Sequence, residues 1–348
     1  MERKLASIQR VAEVKQIAGA DAIEAVRING WWTVCLKGEY QVGDTVIFCE
    51  IDSFIPTTIA PFLTKAGHSP KVYNGIEGER LKTIRLRGQL SQGLVLSFSH
   101  ILSVLGPCAD ELSRAYFSND FAIEGTDVTE LLGITKWEAP EYAGKNLEAR
   151  GNFPVFIQKT DQSRVQNLGK DLVAQYGNSF EVTIKLDGSS TTVYVNGEDF
   201  GVCSRNVNLK DVEGNAFWDI AKAEDLHNKI RTTGRNLAVQ GELLAPNVQG
   251  NFEKVTKPTF RCFSIWDIDK QEYLLPNERR ALCANTGIPH VPVVDDAFVL
   301  NHSVDELLAL AEGDGMNPGV KREGLVFKSN TSQFSFKAVS NSYLLSKK

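Results

Sequence analysis

Short apolar runs alternate with turn dipeptides through the first 130 residues of the chain. Ala25–Asn29, Trp32–Leu36 and Thr45–Glu50 are β-rich, and Asn29-Gly30, Lys37-Gly38 and Val42-Gly43-Asp44 separate them. Such dipeptides between apolar runs are hairpin signals. Leu81–Leu86 and Gly93–Phe98 add two strands around Arg87-Gly88-Gln89. Short strands at this spacing predict a small β-barrel over about 1–130. Between about 99 and 155 strand patterning lapses. Asp127–Leu132 reads as a short helix, and 131–154, with Pro140, Gly144, Gly151 and Pro154, as a linker. From 155 to 348 the character is mixed. Helical spacing marks Asp161–Tyr176, Phe217–Arg231, Asn277–Thr286 and Ser303–Glu312, the last with Ser303 as cap and Glu306 three residues on. Apolar runs at Glu181–Lys185, Thr191–Val195, Leu237–Leu243, Phe260–Ile268 and Gly324–Lys328 read as strands. The expected class is α+β: a small barrel, then antiparallel sheets flanked by helices.

Composition narrows the setting. A 348-residue chain with 42% hydrophobic and 23% charged residues is ordinary for a globular protein of about two domains. A formal net charge of -5 gives no global attraction to polyanions, so any such contact needs a local patch. Residues 71–90 hold Lys71, Arg80, Lys82, Arg85 and Arg87 against Glu77 and Glu79, a candidate phosphate-tracking groove or else a solvated strand face. Trp31-Trp32 reads more readily as core than as a base-stacking platform. Cys35, Cys49, Cys108, Cys203, Cys262 and Cys283 show no CxxC spacing, which favours free thiols in a reducing compartment. No run approaches the roughly 18 apolar residues of a membrane span, so an intracellular, cytoplasmic protein without a membrane partner is expected.

The chemistry concentrates in Lys185-Leu186-Asp187-Gly188-Ser189-Ser190. A lysine amine is protonated near neutrality and becomes a nucleophile only when its surroundings depress its pKa. Burial after Phe180–Ile184 and nearby cations are expected to do so. Alone, Lys-x-Asp-Gly is more often a surface lysine beside a turn. Its companions add weight: Arg205 offers a planar fork to ribose or phosphate oxygens, and Glu242 a carboxylate for ribose hydroxyls. Phe263 or Trp266 offers a ring to stack on a base. Glu323 opens Glu-Gly-Leu-Val-Phe-Lys, ending at Lys328, and Lys337 stands within the apolar Phe334–Val339. A lysine there must face a polar site or solvent.

In this order the segments resemble the motifs of the covalent nucleotidyltransferase superfamily, the ligases and RNA-capping enzymes, over about 155–345. The resemblance is closest to ATP-dependent RNA ligases of the Deinococcus/Naegleria-type branch, which carry an N-terminal OB-like domain. Gly19-Ala20-Asp21-Ala22-Ile23-Glu24 resembles the opening of OB-type barrels. Lys159-Thr160-Asp161-Gln162-Ser163-Arg164-Val165-Gln166-Asn167 and Phe336–Leu344 look like that branch's segments before the nucleophile and at the end.

The resemblance implies that Lys185 attacks the α-phosphate of ATP, giving a lysine–AMP, and that AMP passes to an RNA 5′-phosphate which a 3′-hydroxyl then displaces. It implies Asp187 and Glu323 at Mg²⁺ or Mn²⁺, Arg205 and Glu242 on ribose, Phe263 on adenine and Lys337 on the α-phosphate. It also implies a role in RNA repair on RNA ends, such as a nicked duplex, by a monomer. Relatives often carry two lysines two residues apart in the last motif, whereas 335–339 holds only Lys337. Either Lys328 supplies the second cation or other residues hold the pyrophosphate. A DNA ligase or a capping guanylyltransferase shares the lysine chemistry, but places its OB domain after the last motif. An RNA-binding protein with a decayed nucleotide site is the alternative from another class, and the retained set Lys185, Asp187, Glu242 and Glu323 argues against decay.

Overall fold

The structure, a computed structural model, describes residues 3–106, 124–138 and 148–347. Cys108 and residues 139–147 of the linker expected at 131–154, Pro140 and Gly144 among them, lie outside the described residues. The chain divides into two compact units. The first is Met1–Ala139 with Gln166–Gly169 and Leu344–Lys348; the second is Pro140–Val165 with Lys170–Tyr343.

In the first unit the strand Ala6–Gln16 organises the barrel. Its first half pairs antiparallel with Thr45–Cys49, and its second half with Ile23–Ile28. A bulge at Val11–Glu13 bends it between the two partners, which is how one strand serves both walls of the barrel. Asn29 takes a left-handed φ of 53° and lets Trp31–Leu36 fold back on Ile23–Ile28, so the predicted Asn-Gly hairpin forms. Leu94–Ser97 completes a five-stranded sheet over Ile8, Ile47, Phe48 and Trp31, all essentially buried.

Two details of the first unit depart from expectation. Asp127–Leu132 forms turns rather than a helix, ending at Gly133 with φ 60°. A helix forms instead at Phe98–Leu105, where Ser97 accepts the amide of His100. Trp31 is core, but Trp32 is half-exposed, with Lys15 and Arg27 over its ring at 5.7 and 5.5 Å.

The second unit contains two sheets. In the antiparallel seven-stranded sheet, Leu237–Leu244 is central, between Ser189–Asn196 and Thr259–Asp267. One face packs the helices at 216–231 and 276–286 against Val193, Val239, Phe260 and Ile265. The five-stranded sheet runs in the order 163–164, 335–339, 324–329, 179–185, 293–299. Phe327 and Phe336 stack across its central pair at 4.6 Å.

The helical reading of Asp161–Tyr176 is corrected. Ser163–Arg164 is drawn into parallel pairing with Phe336–Lys337, and only Lys170–Val173 is α-helical. The expected helix Phe217–Arg231 is two helices, Ala216–Ala223 and Leu226–Arg231, broken where Asp225 turns left-handed. Ser303 and Glu306 form the expected capping box. Cys35, Cys49, Cys203, Cys262 and Cys283 are free thiols.

Candidate active site

Lys185 is the last residue of Ser179–Lys185 in the five-stranded sheet, and Ser189 begins a strand of the seven-stranded sheet. Leu186-Asp187-Gly188 carries the chain from one sheet to the other, so the lysine stands where the two sheets meet. Glycine is required in this turn, because a Cβ on Gly188 would come within 2.3 Å of the Leu243 carbonyl. Two carboxylates fix the turn from outside. Gly188 donates its amide to Glu242 at 2.9 Å, and Asp187 donates its amide to Glu253 at 3.3 Å.

Strand register brings in the remaining groups. Lys185 pairs with Gly324, which puts Glu323 beside it, and the amine donates to Glu323 Oε2 at 2.7 Å. The next strand sets Lys337 opposite Val326. A cavity of about 230 Å³ opens here, lined by Lys185, Gly188, Arg205, Glu242, Phe263, Lys328 and Lys337 among others. Lys185, Arg205, Glu242, Phe263, Lys328 and Lys337 therefore share one cavity. Asp187, within the nucleophile turn, and Glu323, bonded to the amine, stand beside that cavity. The Asp161 carboxylate lies against Lys337 at 3.2 Å and Arg205 at 3.7 Å. An anion thus already sits between the two cations expected to meet a nucleotide's phosphate and ribose oxygens.

The electrostatics of Lys185 reverse the expectation from sequence. Burial lowers its pKa, but Glu323, Glu242 and Asp187 outweigh burial and hold the amine above the ordinary lysine value. Its neighbours are carboxylates rather than cations. Negative charge is crowded here. Burial first, and then Glu323 and Asp187, push the Glu242 carboxyl up to about 8. Burial, together with Asp187 and Glu323, pushes Glu253 up to about 7.

A hard divalent cation fits such an oxygen donor set, and it would relieve the crowding. Among the described residues no three His, Cys, Asp or Glu side chains close on one point. That suits a cation that keeps most of its waters and takes one or two carboxylates.

Lys328 lines the same cavity as Lys337, but its amine is already engaged. Its amine donates to the Phe263 carbonyl and to Ser264 Oγ, and burial, with Arg279 adding to it, lowers its pKa well below the usual value. Trp266 lies outside this cavity; it lines a neighbouring one of about 300 Å³ and donates to the Phe156 carbonyl. Of the basic stretch at 71–90, Lys71 pairs with Glu79 and Arg80 with Asp52. Lys82 is lowered by burial and by those two cations, whereas Arg85 and Arg87 lie on a separate hairpin.

Glu253 and Asp161 make site contacts to which no motif of the chain assigns a role. Glu253 comes from a loop without a motif. The only signal for Asp161 was its place in the segment preceding the nucleophile.

An RNA ligase family model matches residues 178–339, and an OB-fold domain model matches residues 5–98. No curated protein sequence matches the chain. Among solved structures, a point mutant of Naegleria gruberi RNA ligase with ATP and Mn is 44% identical, covers 98% of both chains and superposes with a TM-score of 0.89. A second mutant of that ligase, with AMP and Mn, is 45% identical over 98% of both chains, at TM-score 0.89. The same ligase with pyrophosphate is 44% identical and covers 99% of this chain and 98% of the other, at TM-score 0.89. The fold is thus an OB-fold barrel followed by a ligase-type nucleotidyltransferase domain. The chain belongs to the RNA ligase family.

Proposed function

We propose that this protein is an ATP-dependent RNA ligase in which Lys185 takes AMP from ATP and passes it to an RNA 5′-phosphate for sealing to a 3′-hydroxyl. The observation that carries the reading is the placement of Lys185 against Glu323 at 2.7 Å, inside a cavity that also gathers Arg205, Glu242, Phe263 and Lys337. Solved structures of a 44% identical ligase with ATP and Mn, and with pyrophosphate, support the choice of nucleotide and metal.

The chain's own groups divide the work. Lys185 loses a proton; its nitrogen forms a bond to the α-phosphorus while the bond to the bridging oxygen breaks and pyrophosphate leaves. Lys337 meets the charge that builds on the α-phosphate. Arg205 and Glu242 hold the ribose, Phe263 stacks on adenine, and Lys328 lies at that base end beside the Phe263 carbonyl. Asp187 and Glu323 hold Mg²⁺ or Mn²⁺, which supplies positive charge that favours the neutral amine. Phosphate competes with Asp161 for Lys337 and Arg205.

Residues 1–130 act as an RNA-binding barrel and 155–348 as the adenylyltransferase domain, joined through 131–154. We place the protein in the cytoplasm as a monomer, acting on nicked RNA in repair; no helix among the described residues is long and apolar enough to cross a membrane.

A nicked RNA duplex carrying 5′-phosphate and 3′-hydroxyl ends tests the reading. Sealing that requires ATP, a divalent metal and the 5′-phosphate is expected. Sealing of DNA nicks alone, or transfer of GMP instead, would overturn it.

A further inference from the structure

Glu253 is 1% exposed and sits in the loop between the strands Leu237–Leu244 and Thr259–Asp267. The loop holds itself in place. Asn251 Oδ1 accepts the Val255 amide at 2.8 Å while its Nδ2 donates to the Val255 carbonyl at 3.0 Å. Asn317 Nδ2 donates to the carbonyl of Glu253 at 2.6 Å. These bonds present the side chain to the nucleophile turn, where Oε1 accepts the amide of Asp187. The other oxygen, Oε2, is buried and has no hydrogen-bond partner among the described residues. Asp187, Glu323 and Lys185 are its charged neighbours.

This arrangement demands an explanation. Holding the Asp187 amide needs only an acceptor, and a glutamine carbonyl would serve as well without charge. A buried carboxylate oxygen left without a donor, near two further carboxylates, is costly unless a donor or cation arrives.

We propose that Glu253 is a positioning residue for nucleotidyl transfer. One oxygen fixes the Asp187 turn, and the other accepts a hydrogen bond from a water of the divalent cation held by Asp187 and Glu323. The inference rests on the ligase reading above and extends it to a residue outside the motifs. Partners one shell out from a metal commonly set its affinity by about 10–100-fold.

The test uses the full chain and three variants: E253Q, which keeps the acceptor and removes the charge; E253A, which removes both; and E253D, which keeps the charge on a shorter arm. Mn²⁺ binding is read by electron paramagnetic resonance with the non-cleavable α,β-methylene analogue of ATP. In parallel, the Mn²⁺ dependence of label transfer from ATP is followed, with Tm as the check on folding. E253Q should need about tenfold more Mn²⁺ in both assays and recover its rate at saturating metal. E253D should lie between E253Q and wild type. E253A should stay slow even at saturating Mn²⁺, because the Asp187 amide has lost its acceptor.

Superposable Mn²⁺ titrations for wild type, E253Q and E253D overturn the proposal. Wild type that binds Mn²⁺ yet takes no label overturns the ligase chemistry instead, and the resonance titrations alone then decide the role of Glu253.

Discussion

Lys185 donates its amine to Glu323 Oε2 at 2.7 Å, and the register that pairs Lys185 with Gly324 is what brings them together. The Lys185 side chain is 28% exposed and that of Glu323 11%, so the pair is largely shielded from bulk water. In this state the lysine is held protonated. In the proposed reaction, activation would come with the nucleotide and the metal, whose charges would draw the carboxylates away from the amine.

Lys337 should matter to the first chemical step more than to folding. Its side chain is 16% exposed and meets Asp161 at 3.2 Å. Lys337→Met should slow label transfer from ATP by about 10²–10³-fold with little change in Tm. Single-turnover transfer measured beside thermal unfolding checks this.

The raised carboxyl of Glu242 gives a pH signature. It titrates near 8 in the folded protein against an ordinary 4.5. Between those values the folded state holds a proton that the unfolded chain has released, so stability of the metal-free protein should fall as pH rises. The loss should run from about pH 5 to about pH 8. Glu242→Gln should flatten the slope, and Mn²⁺ should offset it at the alkaline end. Urea unfolding across pH, with and without metal, measures both.

Gly324 is required by close approach of backbone. A Cβ there would meet the Ala338 carbonyl at 2.2 Å. Gly324→Ala should cost about 1–3 kcal/mol by prising the strand Gly324–Ser329 from Ser335–Val339, and it should move Glu323 away from Lys185. Denaturant midpoints and label transfer should fall together.

Away from the cavity, Glu181 is fully buried and takes Arg279 and Arg280, the latter at 2.7 Å. Glu181→Ala strands the buried Arg279 and should cost about 3–5 kcal/mol, read as a lowered urea midpoint.

Much of this was legible in the chain. The Asn29-Gly30 hairpin, the Ser303–Glu306 cap and the apolar runs around Lys185, Glu242 and Glu323 follow from local chemistry, and they survive packing. What failed depends on partners far along the chain. Helical spacing in Asp161–Tyr176 lost to strand pairing with Phe336–Lys337. The charge state of Lys185 could not be read from its own segment, because the groups that set it, Glu242 and Glu323, arrive through the register of other strands. Glu253 lies in a loop with no periodicity and no neighbouring motif, so only the folded contact with Asp187 exposes it. Lys328 looked like a phosphate cation from its place in Glu323–Lys328, yet its amine is taken by the Phe263 carbonyl and Ser264.

The most direct measurement is mass spectrometry of the protein after incubation with ATP and Mn²⁺, without RNA. The account predicts one added AMP, mapped to Lys185, acid-labile and absent from Lys185→Met. An unmodified protein, or AMP on another residue that persists in Lys185→Met, would contradict it.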